Sequence, residues 1–205
     1  MLDKLKDKNA NLPTFEKRYH KSTVTRMEGD ENKGMQGSAC KMEVEYNMGW
    51  YKEIVHRGAF DNALSNSDAR CLVNHKSDNL IGRQSANTLT LKVEGDELRY
   101  YVEELPNTTV GNNLKVNLER GEIKESSFQF TINKQRWEER QDGDNWEYVR
   151  HIDEVDRLLD VGPVTFPANP DTTAAKRAFD AFKEAKVVPQ INYQLNNRKK
   201  RMQLL

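Results

Sequence analysis

The sequence predicts a mostly β, α+β domain, and three observations carry that prediction. Short segments rich in β-branched and aromatic residues recur between turn signals along most of the 205 residues. One pair, TLTLKV and LRYYVEE, alternates on either side of the turn EGDE and reads as a hairpin around Gly95. Helical patterning is confined to a few segments, most of them after the sheet has begun, which suits a barrel or sheet with helices packed outside.

In chain order, residues 1–14 form a polar leader ending at Pro13, and residues 15–185 hold the domain. KRYHKSTVTRM is a strand closed by the turn EGDENKG, and MQGSACKMEVEY is a second strand with Gly37 as its expected bulge. A short helix is expected near Gly58 to Leu64, then a compact strand ARCLVNH at residues 69–75. After the hairpin, TTVGNNLKVNLE is a helix stopped at Gly121. The strand KESSFQFTI, a charged loop containing DGDN, and the strand NWEYVRHI follow. RLLDVGPVTF reads as a strand buried on both faces, and NPDTTAAKRAFDAFKEA as a capped, Ala-rich helical extension. Residues 186–205 are a basic tail.

Composition excludes several function classes. The 32 basic residues match 32 acidic ones, so the excess that marks a dedicated nucleic-acid binder is missing. The 36% hydrophobic content spreads over short segments, and none approaches membrane-spanning length. The charged start lacks the apolar stretch of a secretory signal, and Cys40 and Cys71 make no disulfide framework, so a reduced, cytosolic setting is expected. Cys71 and His75 are spaced like half a metal site without a second pair. No metal and no cofactor are expected.

The chemistry starts from KESSFQF, where Ser126 and Ser127 stand side by side in a strand. With a period of two, Ser126, Phe128 and Phe130 share the aromatic face, while Ser127, Gln129 and Thr131 share the polar one. A serine nucleophile needs a base to take its proton. Of the histidines His20, His56, His75 and His151, only His75 ends an apolar strand and opens into a polar turn, although it also suits a surface or capping role. Asp160 lies among Leu158, Leu159, Val161 and Val164, so its carboxylate needs a buried donor. A histidine N–H would serve, and so would a salt bridge to Arg83 or Arg157. Ser127, His75 and Asp160 are therefore a candidate set.

Three segments resemble the prohead maturation proteases of tailed bacteriophages, serine peptidases related to the herpesvirus assembly proteases. They are RGAFDNAL through CLVNH to NLIGR, then GEIKESSFQF, then LLDVGPVTFPANP. Together they span roughly residues 35–175. The resemblance implies a herpesvirus-protease-like β-barrel flanked by helices, with His75 as general base, Ser127 as nucleophile and Asp160 as the acidic third member. That member is often Glu in the family, so the shorter Asp160 must come closer to His75 or leave a looser triad. Gly162 stands where the family often has Ser, a difference expected to matter little.

The implied function is cleavage of capsid and scaffold protein, and of the enzyme itself, inside the immature capsid in the host cytoplasm. The implied partners are those substrates and a second copy of the chain, without nucleic acid or membrane. Two rival readings are a non-catalytic assembly or scaffolding protein that keeps the fold, and a binding domain in which Ser127 is a surface serine. The second predicts no distance relation among His75, Ser127 and Asp160.

Overall fold

The computed structural model describes residues 15–27, 33–143, 145–166, 176–177 and 179–185. The leader, the basic tail and the expected cap of the last helix lie outside these residues. The elements are β1 (Glu16–Arg26), β2 (Lys33–Lys41), β3 (Tyr46–Asn47), β4 (Lys52–Val55), α1 (Asp61–Asn66), β5 (Arg70–Leu72), β6 (Leu80–Arg83), β7 (Thr90–Glu94), β8 (Glu97–Glu104), α2 (Thr109–Glu119), β9 (Glu125–Asp142) and β10 (Asn145–Val164). The expected mostly β, α+β class is what these residues adopt. The strands run β3-β4-β10-β9-β1-β2-β8-β7, and β5 branches from β10 to carry β6.

The branch completes a ring. β4 and β5 pair in parallel along β10, at residues 149–152 and 160–161 respectively. Between them the chain detours through α1, yet the backbone of β10 stays bonded. Val155 N–H meets the Ala59 carbonyl at 2.8 Å, and Leu158 N–H meets Ser67 Oγ at 2.9 Å. At the far side, β6 comes against β8: a Cβ at Gly82 would lie 3.4 Å from Val102 Cγ2. Among the described residues no ladder joins β6 to β8. Inside lie Phe60, Tyr100, Leu114, Phe128 and Phe130, all essentially inaccessible, with the Phe128 and Phe130 rings stacked at 4.8 Å.

Three local expectations need correction. The charged stretch after Ile132 is strand, and β9 and β10 form one hairpin with arms of 18 and 20 residues. Its outer half has no period-two apolar signal because cross-strand ion pairs, such as Arg136–Asp153 and Lys134–Glu154, hold it in place of a core. Residues 149–152 are nonetheless buried, and Phe179 and Phe182 pack beside them against Tyr51, Trp137 and Tyr148. Gly37 is no bulge. The register shift falls between Ser38 and Cys40, and Gly37 makes room for the Tyr100 ring, which a Cβ would meet at 2.4 Å. Finally, the strand expected to reach His75 stops at Leu72.

β1 is fixed to the barrel by a buried ionic quartet. Arg18 binds Glu53 through Nε at 2.5 Å and through its second nitrogen at 2.8 Å, and it also pairs with Glu16. Arg150 binds Glu16 at 2.7 and 2.8 Å and Glu53 at 3.3 Å. None of the four residues is more than 5% exposed. Two cations and two anions cancel, so the cluster tolerates burial only while complete. Burial alone would raise the Glu53 pKa, but the Arg18 and Arg150 guanidiniums outweigh it and hold the carboxyl below its ordinary value of 4.5. A depressed carboxylate stabilises the fold above its unfolded pKa and loses that contribution as pH falls through the folded one. We expect Glu53→Gln to lower stability at neutral pH by about 3–5 kcal/mol. Denaturant titrations should show the gap between wild type and variant narrowing in acid, below the ordinary carboxylate range.

Candidate active site

The site is assembled by one strand register and one turn. Across the β9–β10 ladder, Ser127 pairs with Gly162 and Gln129 pairs with Asp160. Directly opposed residues share a face, and so do residues two apart, so Ser127 and Asp160 lie diagonally on the same side of the sheet with Gly162 beside them. The turn Val73–His75 follows β5, which runs beside Asp160 and Val161, and brings an imidazole over this diagonal. Asn74 and His75 both adopt left-handed backbone, at φ 58° and 55°, and this bend ends the strand early.

His75 Nδ1 lies 2.5 Å from Asp160 Oδ1, and Nε2 lies 2.8 Å from Ser127 Oγ. Asp160 is therefore close enough despite its shorter side chain. A carboxylate only accepts, so Nδ1 carries a proton, and in the neutral imidazole Nε2 accepts the serine proton. Ser127 Oγ has a second neighbour, the Arg18 carbonyl oxygen at 2.8 Å. When the imidazole is protonated at both nitrogens, Nε2–H donates to Oγ and the serine proton turns to Arg18. The single hydroxyl proton thus has two acceptors to choose between, and the protonation of Nε2 decides which one receives it. Ser127 has no exposed area and Asp160 is 4% exposed, so these contacts lie out of bulk water. The face that a period-two reading makes polar is thus covered at this end of β9.

Competing assignments find other partners. Ser126 Oγ is buried, 3.0 Å from Tyr100 Oη and 3.3 Å from the Gly162 carbonyl, and one proton on each hydroxyl completes that chain. Arg83 pairs with Asp68 and Arg157 with Asp156. His56 and His151 bond each other at 2.8 Å, and His151 reaches Glu138 at 2.9 Å. Burial, and then the Asp160 charge, push the Cys71 thiol well above its usual range, so it stays protonated beside the site. Among the described residues no three His, Cys, Asp or Glu side chains converge as metal ligands would, and no helix is long and apolar enough to cross a membrane.

Gly162 matters more than its sequence context suggested. A Cβ there would fall 2.2 Å from the Leu72 carbonyl oxygen, so even the smallest side chain forces the His75 turn outward. The Arg18 carbonyl was also invisible, because a main-chain acceptor leaves no mark in a sequence.

A family model described as caudovirus prohead serine protease matches residues 21–185. No curated protein matches the chain. Among solved structures, the bacteriophage T4 capsid assembly protease is similar over 77% of this chain and 100% of that one, with 13% identity and a TM-score of 0.44.

The two buried neighbours of Ser127 should behave oppositely. Gly162→Ala should displace the His75 turn and abolish the deshielded proton resonance of a short His75–Asp160 bond in proton NMR. Ser126→Ala should keep that resonance and lose about 1–3 kcal/mol of stability, because a buried hydroxyl and carbonyl lose their partner.

Proposed function

The chain belongs to the caudovirus prohead serine protease family, and we propose that it is an endopeptidase that cuts capsid and scaffold protein during head maturation, with Ser127, His75 and Asp160 as its triad. The observation that carries this reading is the His75 imidazole bridging Asp160 at 2.5 Å and Ser127 at 2.8 Å. Nucleophile, base and orienter stand in hydrogen-bond sequence, the relation that a surface serine would lack.

The reaction is acyl transfer. Ser127 Oγ attacks the peptide carbonyl carbon as its proton passes to His75 Nε2, and the carbonyl oxygen becomes an oxyanion. Asp160 stays ionised, holds Nδ1–H and stabilises the imidazolium. Collapse breaks the C–N bond, and Nε2–H protonates the leaving amine, leaving an ester on Ser127. Water, deprotonated by His75, then attacks the ester and releases a carboxylic acid product and free serine. Because Ser127 has no exposed area, the site must open to admit a substrate or a small serine-directed reagent. In this reading the enzyme works in the immature shell, in the host cytoplasm, and finally cuts itself.

Intact-mass spectrometry of purified protein incubated with its cognate capsid protein tests the reading. Wild type and Ser126→Ala should trim the capsid protein or themselves, while Ser127→Ala and His75→Ala stay whole. Asp160→Asn should lose about 10⁴-fold in rate, and combining triad substitutions should add little to the largest single loss. Equal trimming by wild type and Ser127→Ala would contradict the mechanism. No trimming by any form, beside assembled capsid protein, would favour a non-catalytic assembly role.

A further inference from the structure

Beside His75 sits a side chain that the mechanism above does not use. Asn74 Oδ1 accepts the Thr165 N–H at 2.7 Å, and Asn74 Nδ2 donates to Thr165 Oγ1 at 3.1 Å. Thr165 lies just past the last ladder pair, Val164 with Glu125, where its N–H has outrun the strand. Both ends of the amide are engaged, and only one orientation fits, since Oδ1 must face the N–H donor.

The turn that carries His75 needs such an anchor. Asn74 and His75 are successive non-glycine residues in left-handed backbone, at φ 58° and 55°. Such residues are strained and persist only where their surroundings over-determine them. Asn is among the few side chains that tolerate this region, and its short amide can bond locally. The turn's own hydrogen bonds, Lys76 N–H to Val73 at 3.3 Å and Val73 N–H to Asn79 at 3.1 Å, close it on itself without orienting it against β10. The Asn74 clasp supplies that orientation. It ties the residue next to the imidazole to the strand that carries Asp160.

We propose that Asn74, acting through Thr165, is a positioning residue for His75: it holds the imidazole over the Ser127–Asp160 diagonal and touches no substrate. This role rests on the reading of those three residues as catalytic. A shift of about 1 Å in a reacting group costs on the order of a hundredfold in rate, so the clasp is expected to matter more for rate than for stability.

The test is the rate of covalent labelling by diisopropyl fluorophosphate, mapped to Ser127 by peptide mass spectrometry. Asn74→Gly is the informative variant, because glycine keeps the left-handed backbone without strain and removes only the clasp. It should label about tenfold to a hundredfold more slowly than wild type with its melting temperature unchanged. In an Asp160→Asn background, where the imidazole has already lost its carboxylate, the same change should cost little. If Asn74→Gly proves unstable, Thr165→Val, which leaves the turn intact, should show a smaller loss of the same kind, and Thr165→Ser should restore the rate. Wild-type labelling by Asn74→Gly, or an equal loss in both backgrounds, would overturn the positioning role alone. Failure of wild type to label at Ser127 would instead overturn the catalytic reading on which it rests.

Discussion

The register between β9 and β10 is the constraint on which the site depends. Ser127 opposite Gly162, with Asp160 two residues along the same face, leaves a diagonal gap that one imidazole spans. A slip of one residue would either present Ser126 in place of Ser127 or send Asp160 to the other face, and each breaks the set. Several features hold the register in place. The aromatic face of β9 is locked in the core through Phe128 and Phe130, and β5 fixes the same stretch of β10 from its other side. Gly162 then admits the turn at a distance that no side chain would allow.

A second constraint acts through β1. Arg18 contributes to the structure twice, by its side chain and by its main chain. Its guanidinium is held by Glu16 and Glu53 in the buried quartet, while its carbonyl oxygen meets Ser127 Oγ. The ionic cluster therefore does more than offset its own desolvation. It pins the backbone acceptor that lies 2.8 Å from Ser127 Oγ. One residue thus joins the buried charges to the contact with Ser127 Oγ.

How much of this was legible in the sequence depended on the range of each interaction. The hairpin around Gly95 and the helix over Thr109–Glu119 were readable because turn, alternation and capping are local signals. Alternation also separated Ser127 from Ser126, and the apolar neighbours of Asp160 announced a buried carboxylate. Residue types alone left His75 and Asp160 with alternatives, and the family resemblance was what joined the three into one set. Interactions between distant positions stayed hidden. Nothing near Glu16 points to Arg150, although they meet at 2.7 Å. The outer hairpin looked like loop because ion pairs replace the apolar period there. The strand expected to end at His75 stopped earlier because two left-handed residues bend it, and Gly162 looked interchangeable because its neighbour, the Leu72 carbonyl, belongs to another segment.

The most direct test of the central claim is the site of covalent modification by a serine-directed phosphonate, mapped residue by residue in wild type, Ser126→Ala and His75→Ala. The account predicts a single adduct on Ser127 in wild type and Ser126→Ala, and its loss in His75→Ala with the fold intact. An adduct on Ser126, or an adduct on Ser127 that forms as readily without His75, would contradict it.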